Sequence, residues 1–230
     1  MKDITIDLSL LFLILLLIVL LIIFVLTHQK VEEKIYKAKA KKAKDYGGKG
    51  ILGEFLVKDV LDDICFYKGG YNYQGLKLED EYGNWTEIDN IYISAYGVFL
   101  IETKYVAGRI TGEPTAKNWK QHFGKGKSKE FRNPLIQNKR HITFFQRVFP
   151  DVFNVTPLVV FVDPVNIKDL PYMNGVIKLC KLENYIDSCK RIYRDSKVEE
   201  INREVKQFVD NPPFTHEEYA SWVRETYYSK

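Results

Sequence analysis

The stretch Ile101-Glu102-Thr103-Lys104 sets a carboxylate and an ammonium two residues apart in a run, "YGVFLIETKY", that otherwise reads as a buried strand. Side chains alternate along a strand, so Glu102 and Lys104 share a face. Asp89 lies on the preceding strand, across the tight turn Ser94-Ala95-Tyr96-Gly97. With a loop of two or four residues, Ile91, Ile93 and Asp89 fall on the face of Leu100, Glu102 and Lys104. A four-residue loop sets Asp89 opposite Glu102; a two-residue loop sets it opposite Lys104 and diagonal to Glu102. Two facing carboxylates repel, so a positive charge must sit between them. Lys104 alone can supply it, as a partly buried ion cluster. A divalent cation is the sharper alternative: hard oxygen ligands suit Mg²⁺ or Mn²⁺, which keep several waters and accept a phosphate as a further ligand. A metal beside an ammonium is equipment for phosphodiester hydrolysis, with the metal acidifying a water and the lysine orienting it and steadying the transition state.

The elements that must hold these residues are a mixed set. A helix is expected over 50–64, with Leu52, Phe55, Leu56, Leu61 and Ile64 along one stripe. Glu54 lies in its first turn, where the helix dipole already favours a carboxylate. Turn-rich sequence follows, then strands over 86–93, 97–105 and 108–112, and a loop rich in lysine and glycine. Asn133-Pro134 reads as a helix start, Asn capping and Pro first, and Pro150 ends the helix. "VTPLVVFVD" (155–163) is a strand whose Pro157 belongs at an edge or strand start. Residues 181–228 read as mostly helical, broken at Asn211-Pro212-Pro213. The pattern is an α/β domain with a mixed sheet covered by helices on both sides.

Of 230 residues, Leu8 to Leu26 are apolar except Ser9. Nineteen residues at 1.5 Å rise span about 28 Å, near the ~30 Å hydrocarbon core, so an N-terminal transmembrane anchor is expected. A cleaved signal peptide fits less well: the leader has one lysine against two aspartates, and no small-residue cleavage site follows. Eight lysines between His28 and Gly50 face three acids, so by the positive-inside bias a single-pass membrane protein with its C-terminal domain cytoplasmic is expected. The 30–49 lysine run either sets that topology or contacts anionic lipid. Three cysteines without a CxxC spacing suit reduced thiols, and four scattered histidines carry no zinc spacing.

From Lys117 to Arg147 nine basic residues are opposed by Glu130 alone, with Trp119, Phe123 and Phe131 between them. Such a segment is either a solvated insertion or a nucleic-acid contact, its cations displacing counterions and its aromatics stacking on splayed bases.

"GKGILGEFLVKDVL" (48–61), "EIDNIYISAYGVFLIETKYVAGRITG" (87–112), "NW" (118–119) and "NPLIQNKRHI" (133–142) together resemble the nuclease-related domain family, which is similar to the restriction-endonuclease-like nucleases with a D…(D/E)xK signature. The resemblance implies a restriction-endonuclease-like core in which Asp89 and Glu102 ligate Mg²⁺ or Mn²⁺, with the Thr103 carbonyl as a further ligand. It implies Lys104 as the catalytic lysine and Glu54 as an acid facing the site. Gln137, otherwise an ordinary polar helix position, is implied to touch the substrate or a metal-bound water. The expected organisation is an anchor (1–27), a basic helical tether (28–45), the nuclease-related domain (46–165) and a mostly helical C-terminal extension (166–230). The expected function is metal-dependent hydrolysis of DNA or RNA at the membrane. The alternative is an inactive nuclease-fold module that binds nucleic acid or a protein partner there.

Overall fold

The structure is a computed structural model and describes residues 12–23, 49–162, 164–171 and 174–227. The chain divides into two units, Met1–Lys49 and Gly50–Lys230. In the first, residues 12–23 form helix α1. Among the described residues no helix is long and apolar enough to cross a membrane. The expected transmembrane anchor, and the single-pass localisation with a cytoplasmic domain that rested on it, are therefore not upheld. The expectation rests on the apolar composition of the run, whereas crossing needs about 20 residues in one helix, which no apolar helix among the described residues supplies. The tether 28–45, and the lysine run apart from Lys49, lie outside the described residues.

The second unit is a mixed α/β fold with two sheets. Helix α2 (Lys49–Lys68) buries Leu52, Leu56, Val57, Leu61 and Ile64; Phe55, expected in this stripe, is exposed. The helix ends where Gly69 takes a left-handed φ of 78° and its N–H donates to the Cys65 carbonyl. Strands β1 (Tyr71–Glu79), β2 (Trp85–Ser94) and β3 (Gly97–Tyr105) form an antiparallel meander. After β3 the chain builds a second sheet from β4 (Gly108–Thr111), β5 (Asn118–Gly124) and β6 (Lys127–Arg132). It then enters helix α3 (Pro134–Val148) and returns as β7 (Val155–Val162), parallel to β3. Two short strands complete the sheets: β8 (Val165–Asn166) beside β4, and β9 (Val176–Lys178) beside β7. The central order is β1-β2-β3-β7-β9 and the second is β6-β5-β4-β8. Pro157 lies in β7 before its pairing with β9 begins at Val159, so its missing N–H interrupts no ladder there. Helices α4 (Leu182–Ser188), α5 (Asp195–Asp210) and α6 (His216–Tyr227) follow.

The two faces of the central sheet are covered differently. Ile91, Ile93, Val98 and Leu100 pack with Phe144, Phe145 and Phe149 of α3 and Val198, Ile201 and Val205 of α5. On the other face Tyr92 stacks on Phe99 and donates its hydroxyl to the Gly69 carbonyl just past α2. Gly53 brings α2 so close to β3 that an added Cβ would lie 2.8 Å from Tyr105 Cβ and 3.3 Å from Thr103 Cγ2. Gly53→Ala is expected to lose about 1 kcal/mol net, because overpacking costs about 1–3 kcal/mol and alanine's better helix propensity returns about 1. Thermal denaturation reads this as a fall in Tm. The same shift would move the neighbouring Glu54.

Candidate active site

The β2–β3 turn has two residues, Ala95 and Tyr96, and closes at Ser94↔Gly97, with Gly97 at φ 130°. This register sets position 89 against 102, not against Lys104 as the two-residue alternative supposed. The ladder, however, stops at Asn90↔Ile101. At this point β1 and β2 both turn over. Tyr71 and Tyr73 face the α3 side before Gly75, and Leu76 and Leu78 after it; on β2, Ile91 and Ile93 share that side with Ile88. Gly75, at φ 66°, stands across from Asp89 where this happens. Simple alternation therefore fails at Asp89. Its side chain turns into the β2–β3 seam, where Oδ2 accepts the Thr103 N–H at 2.7 Å, replacing the backbone partner that the parting strands withdraw.

Glu102 remains on the α3 side and is buried. Lys104 Nζ donates to its Oε1 at 2.5 Å, and His141 Nε2 lies 2.8 Å from its Oε2. Helix α3 is fixed over β3 by its own polar residues. The Asn133 side chain caps it by accepting the Leu135 N–H at 2.9 Å. Asn138 Nδ2 donates to the carbonyls of Leu100 and Leu158, tying α3 to both β3 and β7. With α3 held in this way, His141 faces Glu102. Gln137 is half-buried one helical turn before His141, on the same face of α3.

The charges interact across the seam. Burial, then the Glu102 charge, push the Asp89 carboxyl well above its ordinary range; Glu54 adds to this, while the Thr103 N–H and Lys104 oppose it. Burial would also raise Glu102, but the hydrogen bond from His141 and the charge of Lys104 outweigh it and hold its carboxyl below the usual value. Glu54, reaching in from α2, is raised by burial and by the charges of Glu87 and Glu102. Thus Glu54, Asp89, Glu102 and Lys104 feel one another's charge. Among the described residues no three His, Cys, Asp or Glu side chains are grouped closely enough to hold a metal ion by themselves.

Three participants were not singled out in the sequence. His141 lies inside "NPLIQNKRHI", and its signal is its helical spacing from Gln137. Thr86 places its hydroxyl oxygen 2.7 Å from His141 Nδ1. Glu87 accepts a hydrogen bond from the Tyr219 hydroxyl of α6 at 2.5 Å.

The lysine- and glycine-rich stretch is not a loop but the β5–β6 hairpin, with a register shift at Phe123. Trp119 is buried, lies parallel to Phe161 at 6.4 Å and meets Phe131 edge-on. Of the three interleaved aromatics, Phe123 is the exposed one. Lys120, Lys125, Lys127, Lys129 and Arg132 are exposed along the hairpin.

The chain matches the nuclease-related domain over residues 49–162. An uncharacterized protein of Bacillus anthracis is 42% identical over 94 residues, which are 41% of this chain and 43% of that relative. The matched stretch thus spans less than half the length of the relative. No solved structure matches. The chain belongs, through residues 49–162, to the nuclease-related domain family.

Proposed function

We propose that the protein is a divalent-metal-dependent phosphodiesterase acting on nucleic acid. The observation that carries this is the meeting of Asp89, Glu102 and Lys104, with Glu54 within electrostatic reach, where β2 and β3 part. The donor set fits Mg²⁺ or Mn²⁺. These ions need one or two carboxylates, with water and substrate phosphate filling the remaining positions, so a three-residue cage is not required. The Asp89 carboxyl is raised by burial first and by the charges of Glu102 and Glu54 after it, and a cation beside it would favour its ionised form. Asp89 and Glu102 would hold the ion, with the Thr103 carbonyl as a further oxygen donor. When bound, the ion would stabilise charge on the phosphate oxygens and lower the pKa of water. Lys104, partly exposed beside Glu102, would orient the attacking water and offset charge in the transition state. Gln137 would contact the substrate from α3. The exposed lysines of the β5–β6 hairpin supply sequence-independent attraction for the phosphate backbone. With Trp119 and Phe131 in the core, base stacking is left to Phe123.

One observation favours a second reading, a nuclease-fold module that binds without cutting: both oxygens of Glu102 already have partners in Lys104 and His141. A metal titration separates the two. The purified full chain, stripped with EDTA, is given Mg²⁺ or Mn²⁺ and labelled single- and double-stranded DNA and RNA. Cleavage that appears with metal and stops with chelator is expected. Absence of both cleavage and a metal-induced rise in Tm would establish the binding module instead.

A further inference from the structure

We propose that His141 is a positioning residue that fixes the Glu102 carboxylate for cation binding. The inference rests on the metal-dependent reading above. Its basis is a chain of side chains from three elements. Thr86 Oγ1 of β2 lies 2.7 Å from His141 Nδ1, His141 Nε2 of α3 lies 2.8 Å from Glu102 Oε2, and Lys104 Nζ of β3 donates to Glu102 Oε1 at 2.5 Å. Thr86, His141 and Glu102 are all buried.

An ionised carboxylate only accepts hydrogen bonds, so Nε2 must carry the proton that faces Glu102. In the neutral ring Nδ1 is then an acceptor, and the Thr86 hydroxyl donates to it. In the imidazolium both nitrogens donate and Thr86 accepts. The Nε2–H to Glu102 bond survives in either state, and Thr86 disfavours the ring flip that would break it. Glu102 is therefore gripped at Oε2 by a ring that cannot readily turn, which leaves Oε1 on the Lys104 side. Without this grip the buried carboxylate would rotate toward Lys104 with both oxygens. Partners of this kind, one shell out from a metal, commonly govern affinity by 10- to 100-fold, roughly the effect expected here.

The test uses the full chain with three substitutions, Mn²⁺ as the probe and calorimetry as the readout, with Tm measured for each variant. H141L keeps volume but removes the donor, and is expected to weaken Mn²⁺ binding about 10- to 100-fold. H141Q, whose amide still donates, is expected to recover most of that loss. T86V is expected to fall between them. Nitrogen-15 spectra of the imidazole supply a readout free of metal: one Nε2–H tautomer in the parent and a mixture in T86V. Parent-like Mn²⁺ affinity in H141L overturns the proposal. So does an H141Q variant as weak as H141L at unchanged Tm, because the position would then need only an imidazole's shape. A single tautomer in the parent without any Mn²⁺ binding would leave the grip on Glu102 standing and defeat the metal-dependent reading instead. A tautomer mixture already present in the parent overturns the grip itself.

Discussion

Lys104→Ala is expected to lower nucleic-acid cleavage by about 100- to 1,000-fold, the loss typical of removing one preorganised group from charge developing in the transition state, while Mn²⁺ binding persists. The two effects separate because Lys104 does two things. In the metal-free chain its ammonium is the cation of the cluster, and its charge lowers the pKa of Glu54, Asp89 and Glu102 alike. Removing it leaves three carboxylates less compensated, which attracts a metal more strongly. In the reaction the same ammonium stays hydrogen-bonded to Glu102 and partly open to solvent, and a bound metal does not replace it there. Lys104→Arg is not expected to rescue, since a planar fork does not reproduce a compact ammonium at 2.5 Å from a buried oxygen. Single-turnover cleavage beside Mn²⁺ calorimetry checks both halves. Parent-level cleavage by the alanine variant would remove Lys104 from the chemistry; loss of metal binding with it would make its role one of assembling the site.

Much of the central sheet was legible because strong local signals agreed with the final packing. Strand β3 occupies 97–105 as its apolar run indicates, and Asn133-Pro134 opens α3 because an amide cap and a proline without N–H both suit a first turn. What escaped was set by non-local contacts. Strand β1 is hidden by Gly69, Gly70 and Gly75, which read as turns, yet Gly75 is the point where two paired strands change face together. The β5–β6 hairpin is hidden by its lysines, because Trp119 finds its partner in Phe161 of β7, about forty residues away. Alternation set Glu102 and Lys104 together correctly, since β3 is regular there. It misplaced Asp89, because regularity ends one residue before it. His141 was invisible as a partner of Glu102 since nothing local links α3 to β3; Asn138 makes that link through two backbone carbonyls.

Asp89→Asn is expected to abolish metal-dependent cleavage and at the same time to stabilise the metal-free fold. Asparagine keeps the oxygen that accepts the Thr103 N–H, so the seam between β2 and β3 remains closed by the same contact. It removes a charge that burial, Glu102 and Glu54 all oppose. Because the folded carboxyl binds its proton more tightly than the unfolded one, ionised Asp89 costs stability at neutral and alkaline pH. As pH falls through the raised folded value, the parent recovers that cost. The advantage of the asparagine variant is therefore largest above the folded value, and it closes toward the unfolded aspartate value of about 3.9. A rise in Tm of about 2–4 °C at pH 8 in EDTA corresponds to 1 kcal/mol in a chain of this size. Saturating Mg²⁺ should reverse the order, since a ligand at 100 times its Kd adds about 2.7 kcal/mol to the state that binds it, and asparagine is a poorer ligand than aspartate. Thermal scans across pH, with chelator and with Mg²⁺, read all of this on one pair of proteins. An asparagine variant less stable than its parent at pH 8 in EDTA would mean that Asp89 is held by favourable contacts and is no reservoir of charge for a cation, and metal-dependent hydrolysis at this seam would lose its electrostatic ground.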